Sequence, residues 1–476
     1  MVIGSGFGGL AAAVRLAAQG HAVRLLEALD QPGGRARVFR QDGFTFDAGP
    51  TVITAPYLFE ELFATANRRM ADYAQLMPVD PFYRILFPDG HQFDFVGEEE
   101  RLLAQIAAFN PRDVDGYRRL AAAAKAIFDV GYTQLADQPF DRLSTMLRVV
   151  PSMLALRSHE SVWQFVARHI KDERLRQVFT FEPLLVGGSP LRASSIYLLI
   201  HWLERKWGVH YVRGGTGALV LAITRLLAEL GVPIHYGEPV EKIDVRHGRV
   251  LGVSTARGYY PCDIVVANAD PSMVYANMLP RAHRPPRRLT SSMSLFVAYF
   301  GTSRTHPEIA HHTIVMGDNY RTQLRDVFVR RVMPKDLSVY IHAPTRSDPR
   351  MAPSGQEAFY ALVPVPNSTS GVGWNSEQRE EVFGRIIDAV EARMLPGLGA
   401  SLVTKRFLTP QEFAGDLRST DGAAFGPEPL LRQSAYFRYH NRSKIEGLYF
   451  VGAGTHPGAG VPGVLNSAKL VARMIA

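Results

Sequence analysis

The sequence opens with MVIGSGFGGLAAAVRLAAQGHAVRLLE, residues 1–27, and this stretch decides the fold. Glycines at the fourth, sixth and ninth positions fit the pattern G-x-G-x-x-G. A short apolar strand precedes them, an Ala- and Leu-rich helix spans Leu10–Gln19, and a second strand spans His21–Glu27. This order of strand, glycine turn, helix and strand predicts the first unit of a Rossmann dinucleotide-binding domain.

Each glycine of this turn has a steric reason. Gly4 permits the tight turn, Gly6 lets the backbone approach a diphosphate, and Gly9 lets the helix pack close to the strand. The free N–H groups at the helix start then hold the phosphates. Glu27 lies 18 residues after Gly9, where a carboxylate accepts hydrogen bonds from ribose hydroxyls. The strand before Gly4 has only three residues, which leaves open whether the N-terminus is complete.

A second glycine turn, PGGRA at residues 32–36, follows this acid and contains Gly34 and Arg35. A glycine turn that carries an arginine suits a large dinucleotide whose diphosphate needs additional positive charge. The alternative is a plain turn with a solvated arginine. The next segment, DAGPT at residues 47–51, indicates a strand that runs into a tight turn.

The third glycine-rich stretch, GLYFVGAGTHPGAGVPG, occupies residues 447–463 near the other end of the chain. It is typical of a buried strand that enters a loop, and a helix is predicted from Val464 to Ile475. So much glycine leaves little room for side chains, as expected where backbone approaches a flat ring. The helix N-terminus directs backbone donors at an anionic group. A structural strand–helix turn is the alternative.

Composition limits the partners and the compartment. The chain has 476 residues and a net charge of +8 without a dense Lys/Arg block, which suits an anionic membrane surface and argues against nucleic acid. A soluble Arg-rich protein is the alternative. The single cysteine, Cys262, forms no intramolecular disulfide, so we expect a cytoplasmic setting. No apolar run reaches the ~18–20 residues of a spanning helix, so membrane contact is expected to be peripheral, at the inner face of the cell membrane.

These motifs resemble those of known flavoproteins. The PGGRA turn after the ribose acid resembles the second motif of the glutathione-reductase-type flavoproteins. The stretch at residues 447–463 is similar to the pattern of the bacterial-type phytoene desaturases, which is far more specific than the N-terminal motif. The resemblance extends over essentially the whole chain through the segments at residues 47–54, 109–114, 184–188, 213–217, 294–301, 311–313 and 342–344.

The resemblance implies FAD as the cofactor and 15-cis-phytoene as a lipophilic substrate that is desaturated toward lycopene or neurosporene. In relatives the turn at residues 47–51 lies beside the flavin ring, and backbone near Val240 contacts adenine. We expect a hydride to pass to flavin N5 while a proton leaves the adjacent carbon, and a quinone or oxygen to reoxidise the flavin. The cofactor-binding residues implied are Gly4, Gly6, Gly9, Glu27, Gly34, Arg35, Gly49, Pro50, Thr51, Val240, Gly452, Gly454, Thr455 and Val461.

Two other functions stay open. One is a different carotenoid desaturase or isomerase of the same family, which only the product distinguishes. The other is a non-enzymatic escort protein that binds isoprenoid tails on the same fold without using a flavin. The intact glycines of the first turn, together with Glu27 and Arg35, argue against the escort function.

The expected fold class is α/β. A discontinuous glutathione-reductase-type Rossmann FAD domain is predicted from residues 1–60, 213–290 and 405–476. Residues 61–212 are predicted to form a helical substrate and lid region with the membrane contact, and residues 291–404 an α+β substrate domain.

The catalytic residues are not determined by the sequence. His456 adjoins the flavin loop, with a structural histidine as the alternative, and Arg148 lines a tunnel mouth or lies on the surface. His311 and His312 are adjacent, and adjacent residues of a strand face opposite sides, so we expect no metal site.

One segment, Asp141–Arg157, combines many apolar residues with three arginines. Pro151 is predicted to break its helix. The segment either enters a membrane interface or packs on the core.

Overall fold

The computed structural model describes residues 1–134 and 138–476, which form sheets of five, seven and three strands, two strand pairs, and surrounding helices. The β-strands are β1 (Val2–Ile3), β2 (Leu25–Leu26), β3 (Val38–Gln41), β4 (Phe44–Asp47), β5 (Leu76–Pro78), β6 (Tyr83–Leu86), β7 (Gln92–Phe95), β8 (His210–Val212), β9 (Ile234–His235), β10 (Val240–Arg246), β11 (Arg249–Thr255), β12 (Gly258–Pro261), β13 (Val265–Ala267), β14 (Ser294–Thr302), β15 (His312–Val315), β16 (Val339–His342), β17 (Glu357–Val365), β18 (Leu402–Leu408) and β19 (Leu448–Phe450).

The α-helices lie between and around these strands. They are α1 (Phe7–Ala18), α2 (Pro56–Thr65), α3 (Glu99–Phe109), α4 (Asp113–Phe128), α5 (Leu143–Ala155), α6 (Val162–Ala167), α7 (Glu173–Val178), α8 (Leu199–Trp207), α9 (Thr216–Glu229), α10 (Pro271–Met273), α11 (Tyr320–Arg325), α12 (Ser376–Arg393), α13 (Pro410–Gly415) and α14 (Val461–Ile475).

A parallel five-stranded sheet has the order β19-β13-β1-β2-β9. Its central strand β1 places Val2 opposite Val266 of β13 on one side and opposite Leu25 of β2 on the other. The strands come from the N-terminal, middle and C-terminal parts of the chain. The predicted discontinuous Rossmann sheet is therefore confirmed, whereas the exact domain borders stay a prediction.

A seven-stranded mixed sheet has the order β18-β14-β17-β16-β15-β6-β7. Strands β15 and β6 pair in parallel, and the other neighbours pair antiparallel. β14 is buried along its whole length because it pairs with a strand at both edges and its two faces pack in two different core clusters. The two strands β6 and β7 come from within residues 61–212, so that mostly helical segment also contributes to the sheet of the predicted substrate domain.

Helix α1 lies against the parallel sheet and packs on α9 and α14. Its run of Ala11, Ala12 and Ala13 is fully buried, because only small side chains fit between these elements. At Gly9 even a methyl group has no room, since a Cβ there would lie 1.9 Å from the carbonyl oxygen of Gly4. The close approach predicted from the glycine pattern is therefore a feature of the fold.

Some predicted boundaries were wrong. The second strand is only Leu25–Leu26, because the preceding residues, such as Arg24, are exposed before the chain enters the sheet. Helix α1 begins at Phe7 and helix α14 at Val461, three residues earlier than predicted in each case.

The prediction that Pro151 ends its helix was also wrong, since α5 continues through it from Leu143 to Ala155. A proline removes one backbone donor and frees the carbonyl four residues earlier, that of Leu147. Leu147 is exposed, so solvent replaces the missing partner. Among the helices that the structure describes, none is both long and apolar enough to cross a bilayer.

We expect Gly9→Ala to lower the urea midpoint of unfolding, because the added methyl group forces α1 away from the Gly4 turn. Overpacking of this kind costs about 1–3 kcal/mol. Gly384→Ala in α12 is the matched control, since a Cβ there meets no atom within 4 Å. The control should gain about 0.5–1 kcal/mol from helix propensity. An unchanged midpoint for Gly9→Ala would contradict the steric argument.

Candidate functional site

One large cavity of about 600 Å³ extends from the parallel sheet to one face of the seven-stranded sheet. Both glycine-rich ends of the chain line it. A Cβ on Gly8 would lie only 3.0 Å from the backbone nitrogen of Gly452, so the two ends are in direct contact. Eleven of the fourteen residues predicted to bind the cofactor line the cavity: Gly4, Gly6, Glu27, Gly34, Arg35, Gly49, Pro50, Thr51, Val240, Gly452 and Val461.

The other three predicted residues lie behind this lining. Gly9 packs α1 against the strand, as its predicted role requires. Gly454 packs against Pro271, and the buried Thr455 donates a hydrogen bond from Oγ1 to the carbonyl of Tyr439 at 2.7 Å. Gly454 and Thr455 thus shape the C-terminal loop without lining the cavity.

The N-terminal turn leaves its backbone open to the cavity. Gly4 has a φ of +91°, which favours glycine, and a Cβ on Gly6 would lie 2.9 Å from the Asn268 side-chain nitrogen. The buried Glu27 accepts hydrogen bonds at Oε2 from the N–H and the hydroxyl of Ser5, both at 2.6 Å. Its Oε1 accepts one bond, from the N–H of Leu29 at 2.8 Å. A carboxylate oxygen accepts two, so Oε1 can still bind a ribose hydroxyl.

The second glycine turn lies beside the first, with Gly33 bridged to Gly6. Arg35 donates a hydrogen bond from Nη2 to the hydroxyl of Ser419 at 2.6 Å, while its buried Nε has no partner among the described residues. Burial lowers the pKa of Arg35, against the opposing charge of Asp270. An unpaired guanidinium N–H on the wall of a cavity fits an anionic group such as a diphosphate.

The turn at residues 47–51 is held by a helix cap. The Asp47 carboxylate accepts hydrogen bonds from the N–H groups of Thr216 and Gly217, both at 2.9 Å, at the start of α9. Burial raises the pKa of Asp47 to about 6. Gly49 lies so close to Arg35 that a Cβ would be 2.2 Å from its carbonyl oxygen. The turn is therefore fixed against the second glycine turn, with its backbone on the cavity wall.

Asn268, at the end of β13, was not predicted and joins the two glycine-rich ends. Its side-chain atoms lie 2.5 Å from the positions that a Cβ would take on Gly8 and on Gly452. The sequence signal was a polar residue directly after a buried strand, at the edge where parallel strands end. Asn268 sets how closely the N-terminal and C-terminal loops approach.

Arg438 was also not predicted, although it is 1% exposed. It donates hydrogen bonds from Nη2 to the carbonyl of Ala453 at 2.7 Å and from Nε to that of Thr455 at 3.1 Å. Burial lowers the pKa of Arg438. Its partners are loop carbonyls, which no sequence pattern specifies, so only the folded structure shows that it holds the C-terminal loop.

The two weak catalytic candidates occupy different environments. His456 is buried on the cavity wall, with its ring centroid 5.0 Å from that of Phe140. Burial, together with Arg438, lowers the pKa of His456 to about 3, so the ring is neutral. Arg148 is exposed on α5 and is not part of the cavity lining. The structure therefore favours the surface alternative for Arg148.

The far part of the cavity is apolar. Three side chains of α5, namely Met146, Val149 and Met153, face it from one side. The buried Glu204 also lines it and accepts a hydrogen bond from the Tyr83 hydroxyl at 2.7 Å. Burial and the neighbouring Glu182 raise the pKa of Glu204 well above its usual range, which favours the neutral carboxyl group. Further apolar lining residues include Phe181, Leu184, Leu185, Ile196, Leu199, Ile200, Leu203, Leu295, Val297, Ile314 and Leu362.

The prediction that His311 and His312 face opposite sides was wrong. β15 begins at His312, so His311 precedes the strand and does not follow its alternation. The two ring centroids are 4.6 Å apart, and His342 of β16 lies 4.7 Å from His311. Burial lowers the pKa of His311 to about 3 and the pKa values of His312 and His342 well below their usual range.

Comparison with known proteins agrees with this geometry. The profile of a family described as flavin containing amine oxidoreductase matches residues 7–476. A phytoene desaturase (lycopene-forming) of Pseudescherichia vulneris is 48% identical, covering 100% of this chain and 98% of the relative. The lycopene-forming enzyme of Pantoea ananas is 45% identical with the same coverage. The neurosporene-forming phytoene desaturase of Rhodobacter capsulatus is 39% identical over 100% of this chain and 93% of its own length.

Solved structures share the fold at low identity. An oxidoreductase from Methanosarcina mazei superposes with a TM-score of 0.66 at 16% identity, over 99% of both chains. A cyclohexylamine oxidase from Brevibacterium oxydans gives a TM-score of 0.62 at 15% identity, over 100% of this chain and 98% of that one. The predicted fold class is confirmed.

We expect Arg35→Met to weaken FAD binding about 10- to 100-fold, because a charge-assisted hydrogen bond contributes ~1.5–3 kcal/mol. The dissociation constant is measured from the recovery of flavin fluorescence on dilution of the loaded protein. Arg40→Met is the matched control, since Arg40 is exposed on the neighbouring strand β3 and should leave binding unchanged. Equal weakening in both variants would contradict a direct role of Arg35.

Proposed function

Because this chain belongs to the flavin-containing amine oxidoreductases, and among them to the bacterial phytoene desaturases, we propose that it desaturates phytoene toward lycopene or neurosporene. It is an FAD-dependent oxidoreductase, as predicted. The observation that carries the substrate proposal is a single cavity with glycine backbone and Arg35 at one end and aliphatic side chains at the other. A charged dinucleotide suits the first end, and a hydrocarbon without polar groups suits the second.

The cofactor residues fit FAD on two observations. The three glycine turns leave no room for a Cβ at Gly6, Gly49 and Gly452, so backbone forms the wall at these positions. The orphaned Nε of Arg35 and the free lone pair of Glu27 Oε1 supply one donor and one acceptor. We assign the diphosphate to Arg35 and the start of α1, and the ribose to Glu27. The flavin ring is assigned to the Gly49–Thr51 turn and the C-terminal loop.

When bound, FAD supplies the two-electron acceptor for the hydrogen that leaves the substrate. The protein places a saturated carbon of phytoene against the turn at residues 49–51 and excludes water from the site. The polyene delocalises positive charge, so loss of the neighbouring proton does not require a strong base. The neutral forms of Glu204 and His456 fit this proposal, because neither presents a charge to the hydrocarbon.

A quinone or oxygen is the proposed acceptor that returns the flavin to its oxidised state. The related desaturases are named for different products, which include lycopene, neurosporene and zeta-carotene. The second candidate function is therefore another carotenoid desaturation, in which the same site stops after fewer steps. Product identity distinguishes the two.

We test the function with cells that make phytoene and express this chain, followed by chromatography of the pigments. Lycopene or neurosporene is expected, and unchanged phytoene together with flavin-loaded protein would contradict the proposal. In a second experiment under anaerobic conditions, phytoene in liposomes should bleach the flavin absorption of the purified protein.

Leu185→Trp should abolish pigment formation but retain flavin, because the half-buried Leu185 faces the apolar cavity and a larger side chain fills it. Leu251→Trp is the matched control on β11, where the leucine is 44% exposed and outside the lining. If Leu185→Trp turned over phytoene as fast as the control, the assignment of the substrate to this cavity would be contradicted.

We also propose that α5 is the membrane contact, at the inner face of the cytoplasmic membrane. One face of α5 lines the cavity, whereas Leu143, Leu147 and Leu154 on an adjacent face are 51%, 62% and 60% exposed. A helix that is apolar both inside and outside suits a bilayer interface. Arg142 and Arg148 are exposed beside these leucines and suit anionic headgroups. This position gives a lipid-dissolved substrate a short path into the cavity.

We expect Leu147→Glu to reduce cosedimentation with anionic liposomes about tenfold, the effect of ~1.4 kcal/mol. The reason is that a charged carboxylate replaces the most exposed leucine of α5. Leu221→Glu is the control, because Leu221 is 56% exposed on α9, in the predicted cofactor domain. Binding that falls equally in both variants would show a general charge effect and contradict the assignment of α5.

A further inference from the structure

Three buried histidines meet beside the cavity without lining it. His312 of β15 is paired with His342 of β16 across the antiparallel ladder, and His311 directly precedes β15. The ring centroids of His311 and His312 lie 4.6 Å apart, and those of His312 and His342 5.2 Å apart. Each residue offers a ring nitrogen, and these nitrogens all lie within 4.8 Å of one another.

These nitrogens lack partners. The Nε2 atoms of His311 and His312 make no hydrogen bond, and neither ring nitrogen of His342 makes one of acceptable geometry among the described residues. The three side chains are 7%, 0% and 1% exposed. A buried polar atom without a partner is destabilising, because it has lost its hydrogen bonds to water. Several such atoms at one point indicate a partner other than the polypeptide.

The opposite nitrogens are held by hydroxyl groups. Nδ1 of His311 is hydrogen-bonded to Oγ of Ser347 at 2.8 Å, and Nδ1 of His312 to the hydroxyl of Tyr340 at 2.7 Å. With both Nδ1 atoms protonated as donors, the unpartnered Nε2 atoms of His311 and His312 keep a lone pair that can bind an ion. In histidines that bind metals, the ring nitrogen that does not bind the ion usually donates a hydrogen bond, which fixes the tautomer.

We propose that His311, His312 and His342 bind one divalent transition-metal ion, with Zn²⁺ as the best match. Three imidazole ligands are typical of zinc, whereas Mg²⁺ and Ca²⁺ prefer oxygen. Zn–N bonds of about 2.0–2.1 Å in a tetrahedron separate the nitrogens by roughly 3.3 Å. The rings therefore close by at most about 1.5 Å on binding. A water molecule would complete the tetrahedron, as at other three-histidine zinc sites.

Hydrogen bonds connect the histidine cluster to the cavity wall. The Tyr340 hydroxyl that holds His312 is also hydrogen-bonded to Oγ1 of Thr51 at 2.7 Å. Thr51 belongs to the turn assigned to the flavin ring, and both Thr51 and Tyr340 line the cavity. A metal ion at the histidines would fix Tyr340 and, through it, that turn. We assign the ion a positioning role that does not depend on which hydrocarbon is the substrate.

The test uses the full FAD-loaded chain, purified without a histidine tag and freed of metal by dialysis against a chelator. Zn²⁺ is titrated in competition with a chromophoric chelator, and Co²⁺ replaces it for visible spectroscopy. We expect one ion per chain, a higher thermal midpoint, and the intense bands of tetrahedral Co²⁺. An unmodified chain that takes up neither metal overturns the proposal, and ordered water then occupies the cluster.

Variants locate the ion. His342→Gln should abolish stoichiometric uptake, and Tyr340→Phe should weaken it about tenfold through the loss of an outer hydrogen bond. His306→Gln is the matched control, because His306 is also buried with an unpartnered Nε2 but lies outside the cluster. Equal uptake by His342→Gln and His306→Gln overturns the assignment. If His342→Gln does not fold, the Co²⁺ spectrum of the unmodified chain tests the proposal instead, because its absorption bands report tetrahedral nitrogen ligation. A spectrum without these bands overturns the proposal.

Discussion

The structure depends on one close contact in which neither of the two chain segments has room for a Cβ. The N-terminal turn and the C-terminal loop meet at Gly8 and Gly452, with the Asn268 side chain between them. A Cβ on either glycine would lie 2.5 Å from Asn268 Oδ1, so any larger residue would separate the two ends of the chain. Because the ends meet, glycines more than 440 positions apart in the sequence line one cavity.

Around this contact the protein keeps polar groups at one end of the cavity and apolar groups at the other. Buried polar atoms at the glycine-rich end, such as Arg35 Nε, have no partner among the described residues and suit a charged cofactor. At the apolar end, burial and Glu182 raise the pKa of Glu204 and so favour its neutral form. A desaturase needs this division, because it must bind a dinucleotide and a hydrocarbon side by side while keeping water out. Helix α5 extends the apolar end outward, since it carries leucines on its exposed side as well.

Much of the site could be predicted because it consists of glycines. Gly4 and Gly452 have φ values of +91° and +95°, a local requirement for glycine that a sequence pattern reports. Positions whose role depends on contacts between distant segments were missed. Asn268 and Arg438 stand in stretches without a motif, and their partners are loops far away in the sequence. Local reasoning also failed where strand borders mattered, since one residue decides whether His311 follows the alternation of β15.

By itself the sequence determined the Rossmann unit, the flavin class and the family, because spacing of glycines, an acid and an arginine encodes local backbone geometry. The tertiary structure alone decided which side chains converge. It united β6 and β7 with the sheet of β14–β18, turned one face of α5 to the cavity and an adjacent face to solvent, and gathered His311, His312 and His342. Such convergence depends on long-range packing between strands and helices, and no local pattern in the chain records it.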